Sequence, residues 1–344
     1  MIFLEAYQIA VLIALFVNAA FSDLRRGIVS NKSILLALGA GMISAIPYYA
    51  IFATDCLVSY VINLAIGIGI SLLLYAMGIW GAGDSKLLSV TVLIFPARIY
   101  CINNRSLASC FLLISMVFII AFIYVAVDTL IVGIREKNLF KFPKRIFDWK
   151  CYLKGFLFFF LMLTLFNGIL FAVLPDTLLI DGTLLSSIHF IVIMIGLKLE
   201  EKTNWYIVLA MGIAYGILIL FRMVQFNLSN INWGLYIAVI LLVVFRSFAD
   251  KYNYKTISVS ELKPGMILSM GSILLFAKSR VKGLPTFSTE DLKSRLSVDE
   301  VESICRWAKT ANGQEEIVIV RKIPFAIFIG IGTLTFAIWE VLAK

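Results

Sequence analysis

Two aspartates stand where apolar runs of the sequence stop. Asp23 closes the first run, in Phe21-Ser22-Asp23-Leu24-Arg25-Arg26, and Asp84 lies between the third and fourth, in Gly81-Ala82-Gly83-Asp84-Ser85-Lys86. Peptide hydrolysis needs a base to activate water and an acid to protonate the carbonyl oxygen. Two neighbouring carboxyls supply both, because like charges resist ionising together and the pair retains one proton. Such a pair titrates as a unit, so neither member is assigned the proton. Gly81 and Gly83 suit such a site by keeping side chains away from an approaching substrate strand and by opening backbone conformations closed to other residues. Taken singly, each acid has a plain role. Asp23 reads as an interfacial ion pair with Arg25 and Arg26, and Asp84 as a helix cap. On the residues alone both readings stand.

Other reactive residues offer less. His189 is the single histidine and has no acid or cysteine near it in sequence. The five cysteines (Cys56, Cys101, Cys110, Cys151, Cys305) are scattered with no CxxC pair, which argues against a structural zinc site and for small apolar fillers. Asp128 near the end of the fifth apolar run is an acid in a membrane segment, a functional suspect that the interface could equally satisfy. Glu5 and Glu340 are expected to be solvated near the opposite boundary. The Phe-rich run 156–166 reads as lipid-facing or packing surface.

The elements that must position these residues follow from composition. The chain has 344 residues, 61% of them hydrophobic and 15% charged, with a mean hydropathy of +0.97. A soluble protein of that size could not bury so much apolar surface, which implies a lipid environment. A spanning helix needs about 20 apolar residues. Candidate segments are 2–21, 33–53, 57–80, 86–100, 109–133, 156–174, 185–198, 204–221, 232–249 and 324–343, of which the fourth and seventh are short enough to be half-helices. The first is expected to be a retained helix and not a cleaved signal. The fold class is therefore an all-α polytopic membrane protein of about ten apolar segments, possibly with fewer full spans.

Alternation of these segments puts the basic residues on one side: Arg25, Arg26 and Lys32; Arg135, Lys137, Lys141, Lys144, Arg145, Lys150 and Lys154; Lys198 and Lys202; Lys251, Lys255 and Lys263. The other side holds only Arg98, Arg105 and Arg222. The positive-inside rule then places Met1 outside and the basic loops in the cytoplasm. The net charge of +9 belongs to topology and to contact with anionic membrane lipid, with no nucleic-acid module in evidence. This count, made without the aspartates, brings both to the same face at similar depth.

Residues 250–322 form a polar stretch expected to be a small α+β cytoplasmic domain. Thr256–Ser260 alternates, Pro264-Gly265 marks a turn, 266–276 is β-prone, and Glu316–Val320 reads as a returning strand. Ser297 and Glu300 have capping-box spacing, starting a helix to Thr310 with Val298, Val301, Ile304, Cys305 and Ala308 on one face. The basic, aromatic stretch 135–154 fits a helix in the headgroup layer. The expected organisation is 1–108 catalytic helices, 109–249 further helices, 250–322 the cytoplasmic domain, and 323–344 a final helix.

Gly81-Ala82-Gly83-Asp84-Ser85-Lys86-Leu87-Leu88 resembles the GxGDxKLL signature of type IV prepilin peptidases. Asp23-Leu24-Arg25-Arg26-Gly27-Ile28-Val29-Ser30-Asn31 resembles their first motif, with Ser30 in place of the usual proline. The resemblance covers the first third of the chain. It implies a GxGD aspartyl endopeptidase without metal or cofactor, acting on prepilin or preflagellin substrates with class III signal peptides and cutting between a basic leader and an apolar helix at the cytoplasmic face of the cell membrane. Asp23 and Asp84 would be the catalytic pair, Gly81 and Gly83 the loop formers, and Lys86 and Arg25 supporting residues. The methyltransferase loop with paired cysteines, common in bacterial members, is absent here, so no methylation is expected. That fits the archaeal branch. The Glu261–Leu268 segment resembles the soluble domain of preflagellin peptidases, whereas the extra helices favour an EppA-like prepilin peptidase. Glu200, Glu201 and the acids of 290–302 are candidates to hold the leader. Three rivals remain: a presenilin-like protease, although its tyrosine-preceded aspartate and late Pro-Ala-Leu element are not found; a transporter, whose acids should cluster near mid-membrane; and a docking subunit without catalysis.

Overall fold

The computed structural model describes residues 2–101, 109–135, 149–173, 182–221, 239, 242, 254–277, 279, 281–290, 294–310, 313–321 and 323–342. The apolar segment 232–249 (apart from Val239 and Leu242), the basic stretch 136–148 and Arg105, Arg222 and Lys251 lie outside these residues.

The protein is a polytopic helical membrane protein carrying a small α+β module. Its helices are α1 (Ile2–Arg26), α2 (Asn31–Pro47), α3 (Leu57–Ala76), α4 (Ala82–Ile94), α5 (Ala97–Cys101), α6 (Cys110–Arg135), α7 (Trp149–Val173), α8 (Gly182–Lys202) and α9 (Trp205–Leu220). The module's α10 (Met270–Phe276) and α11 (Val298–Ala308) follow, and then α12 (Phe325–Leu342). Among the described residues six helical stretches are long and apolar enough to cross a membrane: those of α1, α2, α3, α6, α7 and α12. The fourth apolar segment is indeed short. Phe95 leaves the helix with ψ 132° because Pro96 disfavours the α conformation before it, and α5 starts beyond.

The last helix in sequence is central in space. Along α12, Ala326, Ile329 and Phe336 are fully buried, in a core shared with α1, α4 and α6. Small residues permit the approach. A Cβ on Gly332 would lie 2.6 Å from Val117 Cα of α6, and one on Gly330 would lie 3.0 Å from Phe16 Cβ of α1. This enclosure corrects the expectation for Glu340. It is fully buried, because its side chain lies on the inward face of α12, whereas its neighbours Trp339 and Val341 are exposed. Glu5 is also not simply solvated: it accepts from Tyr48 Oη at 2.8 Å and sits 3.7 Å from Arg98. His189 has its two ring nitrogens beside Leu185 O and Asn167 Oδ1. Phe158 and Phe159 of the Phe-rich run are buried against α8 and α9.

The module is a three-stranded antiparallel sheet in the order β1 (Tyr254–Ser258), β3 (Glu316–Val320), β2 (Ile267–Leu268). The returning strand and the capping box are found as the sequence indicates. Ser297 N–H donates to Glu300 Oε2 at 2.8 Å, and Glu300 N–H to Ser297 Oγ at 3.3 Å. Two expectations are corrected. The β-prone run 266–276 is a strand only over Ile267–Leu268, since Ser269 caps a new helix by accepting from Ser272 N–H at 3.2 Å. On α11 Ile304 and Trp307 are buried and Val301, Cys305 and Ala308 pack against the same core as expected, but Val298 is exposed. Trp307 needs the wide slot beside Phe276, whose ring it meets edge-on at 4.7 Å.

Candidate active site

α1 ends in a left-handed glycine. Gly27 takes φ 69° and its N–H donates to Asp23 O at 2.8 Å, the cap that glycine alone adopts without strain. Asp23 therefore rides the last turn of α1, where it is 6% exposed. α3 ends the same way at Gly78, φ 71°, and a short extended link through Trp80 leads to α4. Asp84 lies in the first turn of α4 and its Oδ2 accepts from Gly81 N–H at 3.3 Å. The α3–α4 hairpin is locked by a reciprocal serine pair: Ser71 Oγ donates to Ser85 O at 2.6 Å, and Ser85 Oγ to Ser71 O at 3.0 Å.

These termini enclose a cavity of about 410 Å³ that Asp23 and Asp84 both line, together with Gly81, Gly83 and Lys86. Lys86 Nζ donates to Asn31 Oδ1 at 3.1 Å across the cavity wall. Arg25 is not in the wall. It is exposed, its guanidinium 4.0 Å from the Phe21 ring centroid. The glycines are used differently from expectation. Gly81 has ordinary extended angles (φ −76°, ψ 158°), and Gly83 is helical. Gly83 matters for space, since a Cβ there would lie 3.1 Å from Val29 Cβ. The left-handed positions are Gly27 and Gly78, both in the cavity wall.

Asp23 meets a third helix terminus. Ala326 N–H, in the first turn of α12, donates to Asp23 Oδ2 at 3.4 Å. Free amides and the helix dipole at such an end favour negative charge. Asp128 is engaged elsewhere, with its two oxygens 3.0 and 3.2 Å from the Arg321 guanidinium nitrogens. Three of the acids expected to hold the leader have local partners, while Asp291 and the side chain of Glu201 lie outside the described residues. Glu200 pairs with Lys154 at 3.1 Å, Glu290 accepts from Tyr254 Oη and Met270 N–H, and Glu300 caps α11.

Four wall residues were not singled out from sequence: Tyr75, Gly78, Trp80 and Arg295. Trp80 adjoins the glycine motif, which was a usable signal. Arg295 had none, because it comes from the module, far along the chain.

Both carboxyls line one cavity, and among the described residues no cluster of three or more His, Cys, Asp or Glu side chains suited to a metal occurs. No curated protein and no solved structure gives a significant match to the chain. Its residues 10–130 match the model of the type IV leader peptidase family. That stretch, about a third of the chain, runs from α1 into the last turns of α6, carries both aspartates, and is what the chain shares with this peptidase family.

Proposed function

We propose that this protein is an intramembrane aspartyl endopeptidase that removes the basic leader of type IV prepilin-like proteins at the cytoplasmic face of the cell membrane, with Asp23 and Asp84 as its catalytic pair. One observation carries the reading: two acids from distant segments line a single cavity at one end of the helical bundle. Asp23 and Asp84 each accept an amide from a helix start, which orients a carboxylate without neutralising it.

In the reaction one carboxylate takes a proton from water as the hydroxyl oxygen attacks the scissile carbonyl carbon. The other carboxyl protonates the carbonyl oxygen. The C–N bond then breaks as the first carboxyl returns its proton to the departing nitrogen and the second carboxylate takes back a proton from a diol hydroxyl, which leaves the acid product and restores the pair. The two carboxyls relay every proton in this scheme. The substrate's apolar helix lies in the bilayer beside α1 and α2, and its leader stays in the aqueous layer. The cytoplasmic assignment rests on the basic residues at the Asp23 end, Arg25, Lys32 and Lys154 among them.

The test is co-expression with candidate prepilins and preflagellins, scoring leader removal with each aspartate intact or replaced by Asn. Asp23→Asn and Asp84→Asn are each expected to abolish cleavage. Appreciable turnover by either variant would refute the pair. Cleavage of prepilins over preflagellins would support the EppA-like branch, and cuts within membrane segments would support a presenilin-like specificity.

A further inference from the structure

Two N–H donors in the cavity wall have no acceptor among the described residues. Arg295 reaches the cavity from the module, outside the stretch that the family model matches. Its backbone is fixed. Arg295 bridges Ile267 of β2, and Leu296 donates from its N–H to Met266 O at 2.9 Å while its own carbonyl accepts from Gly265 N–H at 2.8 Å. Leu296 is buried in the module's core. The side chain of Arg295 is thus sent outward from a rigid stem onto the peptidase cavity. Its Nε is buried and has no hydrogen-bond partner among the described residues. Trp80, 3% exposed and in the same wall, holds its indole Nε1–H in the same condition.

A buried donor without an acceptor is costly, and native proteins keep few of them. Two in one wall, beside two acids, mark a place where a ligand brings the acceptors. Both groups donate and neither accepts, so the ligand atoms they fit are oxygens. A peptide unwound to present its scissile bond carries main-chain carbonyls that have lost their helical partners, and a guanidinium fork can hold two such oxygens at once. Charge sets the direction. Arg295 and Lys86 repel a basic leader, so their part of the cavity belongs to the other side of the cut.

We propose that the module is the second half of the peptidase site, and that Arg295 binds main-chain carbonyl oxygens of the substrate just downstream of the cleaved bond, with Trp80 Nε1–H as a neighbouring donor. This rests on the peptidase reading above. The bidentate Arg321–Asp128 pair ties the module to α6, and the module's last strand runs on to α12, whose first turn touches Asp23. The module is therefore anchored on both sides of the cavity that it completes.

The test uses the full-length protein in lipid nanodiscs with a prepilin that it cleaves. Leader removal gives kcat and KM for the wild type, Arg295→Gln and Arg295→Lys, and thermal unfolding is recorded for each. Arg295→Gln is expected to lower kcat/KM about ten- to hundred-fold, the loss of a charged hydrogen bond to substrate, chiefly through KM and with an unchanged unfolding temperature. Arg295→Lys keeps the charge but not the fork and should recover only part. An Arg295→Gln enzyme as efficient as an active wild type overturns the inference and leaves the peptidase reading intact. A loss matched by a lower unfolding temperature means a structural role and also overturns it. A wild type that cleaves no prepilin removes both.

Discussion

Gly83→Ala would place one methyl group where the structure has no room. The new Cβ would lie 3.1 Å from Val29 Cβ, 3.3 Å from its Cγ2 and 3.5 Å from its backbone nitrogen. Carbon atoms settle at about 3.5–4.0 Å, so the deficit is a few tenths of an ångström. Rotating Val29 cannot relieve it, because the nearest atom is the β-carbon itself. Val29 is buried and belongs to the turn that follows Asp23, whereas Gly83 precedes Asp84. The clash therefore pushes the two acid-bearing segments apart. A misplacement of about 1 Å can cost about a hundred-fold in rate, so half of that predicts about a ten-fold fall in kcat. Stability should change less. Overpacking costs about 1–3 kcal/mol, and replacing a helical glycine by alanine returns about 0.5–1 kcal/mol. Leader-removal kinetics in nanodiscs with parallel thermal unfolding separate the two effects. Val29→Ala, which removes the γ-carbons, should restore part of the rate in the double variant. A Gly83→Ala enzyme with kcat within two-fold of wild type, or a rate loss wholly explained by unfolded protein, would refute this reasoning.

Two further substitutions probe the frame. Gly332→Ala would bring a Cβ within 2.6 Å of Val117 Cα and 2.8 Å of its nitrogen, backbone atoms that yield only if α6 and α12 separate. It should lower stability by about 1–3 kcal/mol, whereas Gly69→Ala, with nothing within 4 Å, should be neutral or slightly stabilising in the same unfolding assay. Asp128→Ala and Arg321→Ala remove a pair whose side chains are each 33% exposed, worth about 0.5–1 kcal/mol. Each should lower kcat/KM about two- to five-fold, and the double variant no further; additive losses would show that the pair does not tether the module.

What the sequence disclosed was what short-range physics encodes. Hydropathy and basic loops brought Asp23 and Asp84 to one end because each apolar run long enough to span must cross. Ser297 and Glu300 announced α11 because a capping box closes within four residues. Errors arose where a local pattern was ambiguous or a partner lay far away. Ile267–Leu268 is too short a strand to outweigh the cap at Ser269. Val298 fits a helical stripe, but the core needs the volume of Trp307. Glu340 looked like a boundary residue because hydropathy places a helix in a membrane without saying which of its faces meets other helices, and Glu340 lies on the inward one. Arg295 was invisible for the same reason, since nothing near it in sequence indicates the cavity that it lines.

The two amides that hold the aspartates also separate chemistry from folding. Asp84 Oδ2 accepts from Gly81 at the start of α4, and Asp23 Oδ2 from Ala326 at the start of α12. Within a membrane such helix-end amides cannot turn to water freely, so each needs an acceptor. Asparagine still offers one oxygen to the same donor while losing the ability to shuttle a proton. Alanine loses both. The Asn variants should therefore be inactive with near wild-type unfolding temperatures. Asp23→Ala and Asp84→Ala should be equally inactive and less stable by about 0.5–1.5 kcal/mol, the net value of one hydrogen bond, toward the lower end because both contacts are long at 3.4 and 3.3 Å. Asn and Ala variants of equal stability would mean that these amides do not hold the acids, and the orientation of the pair would then have to come from the rest of the cavity wall.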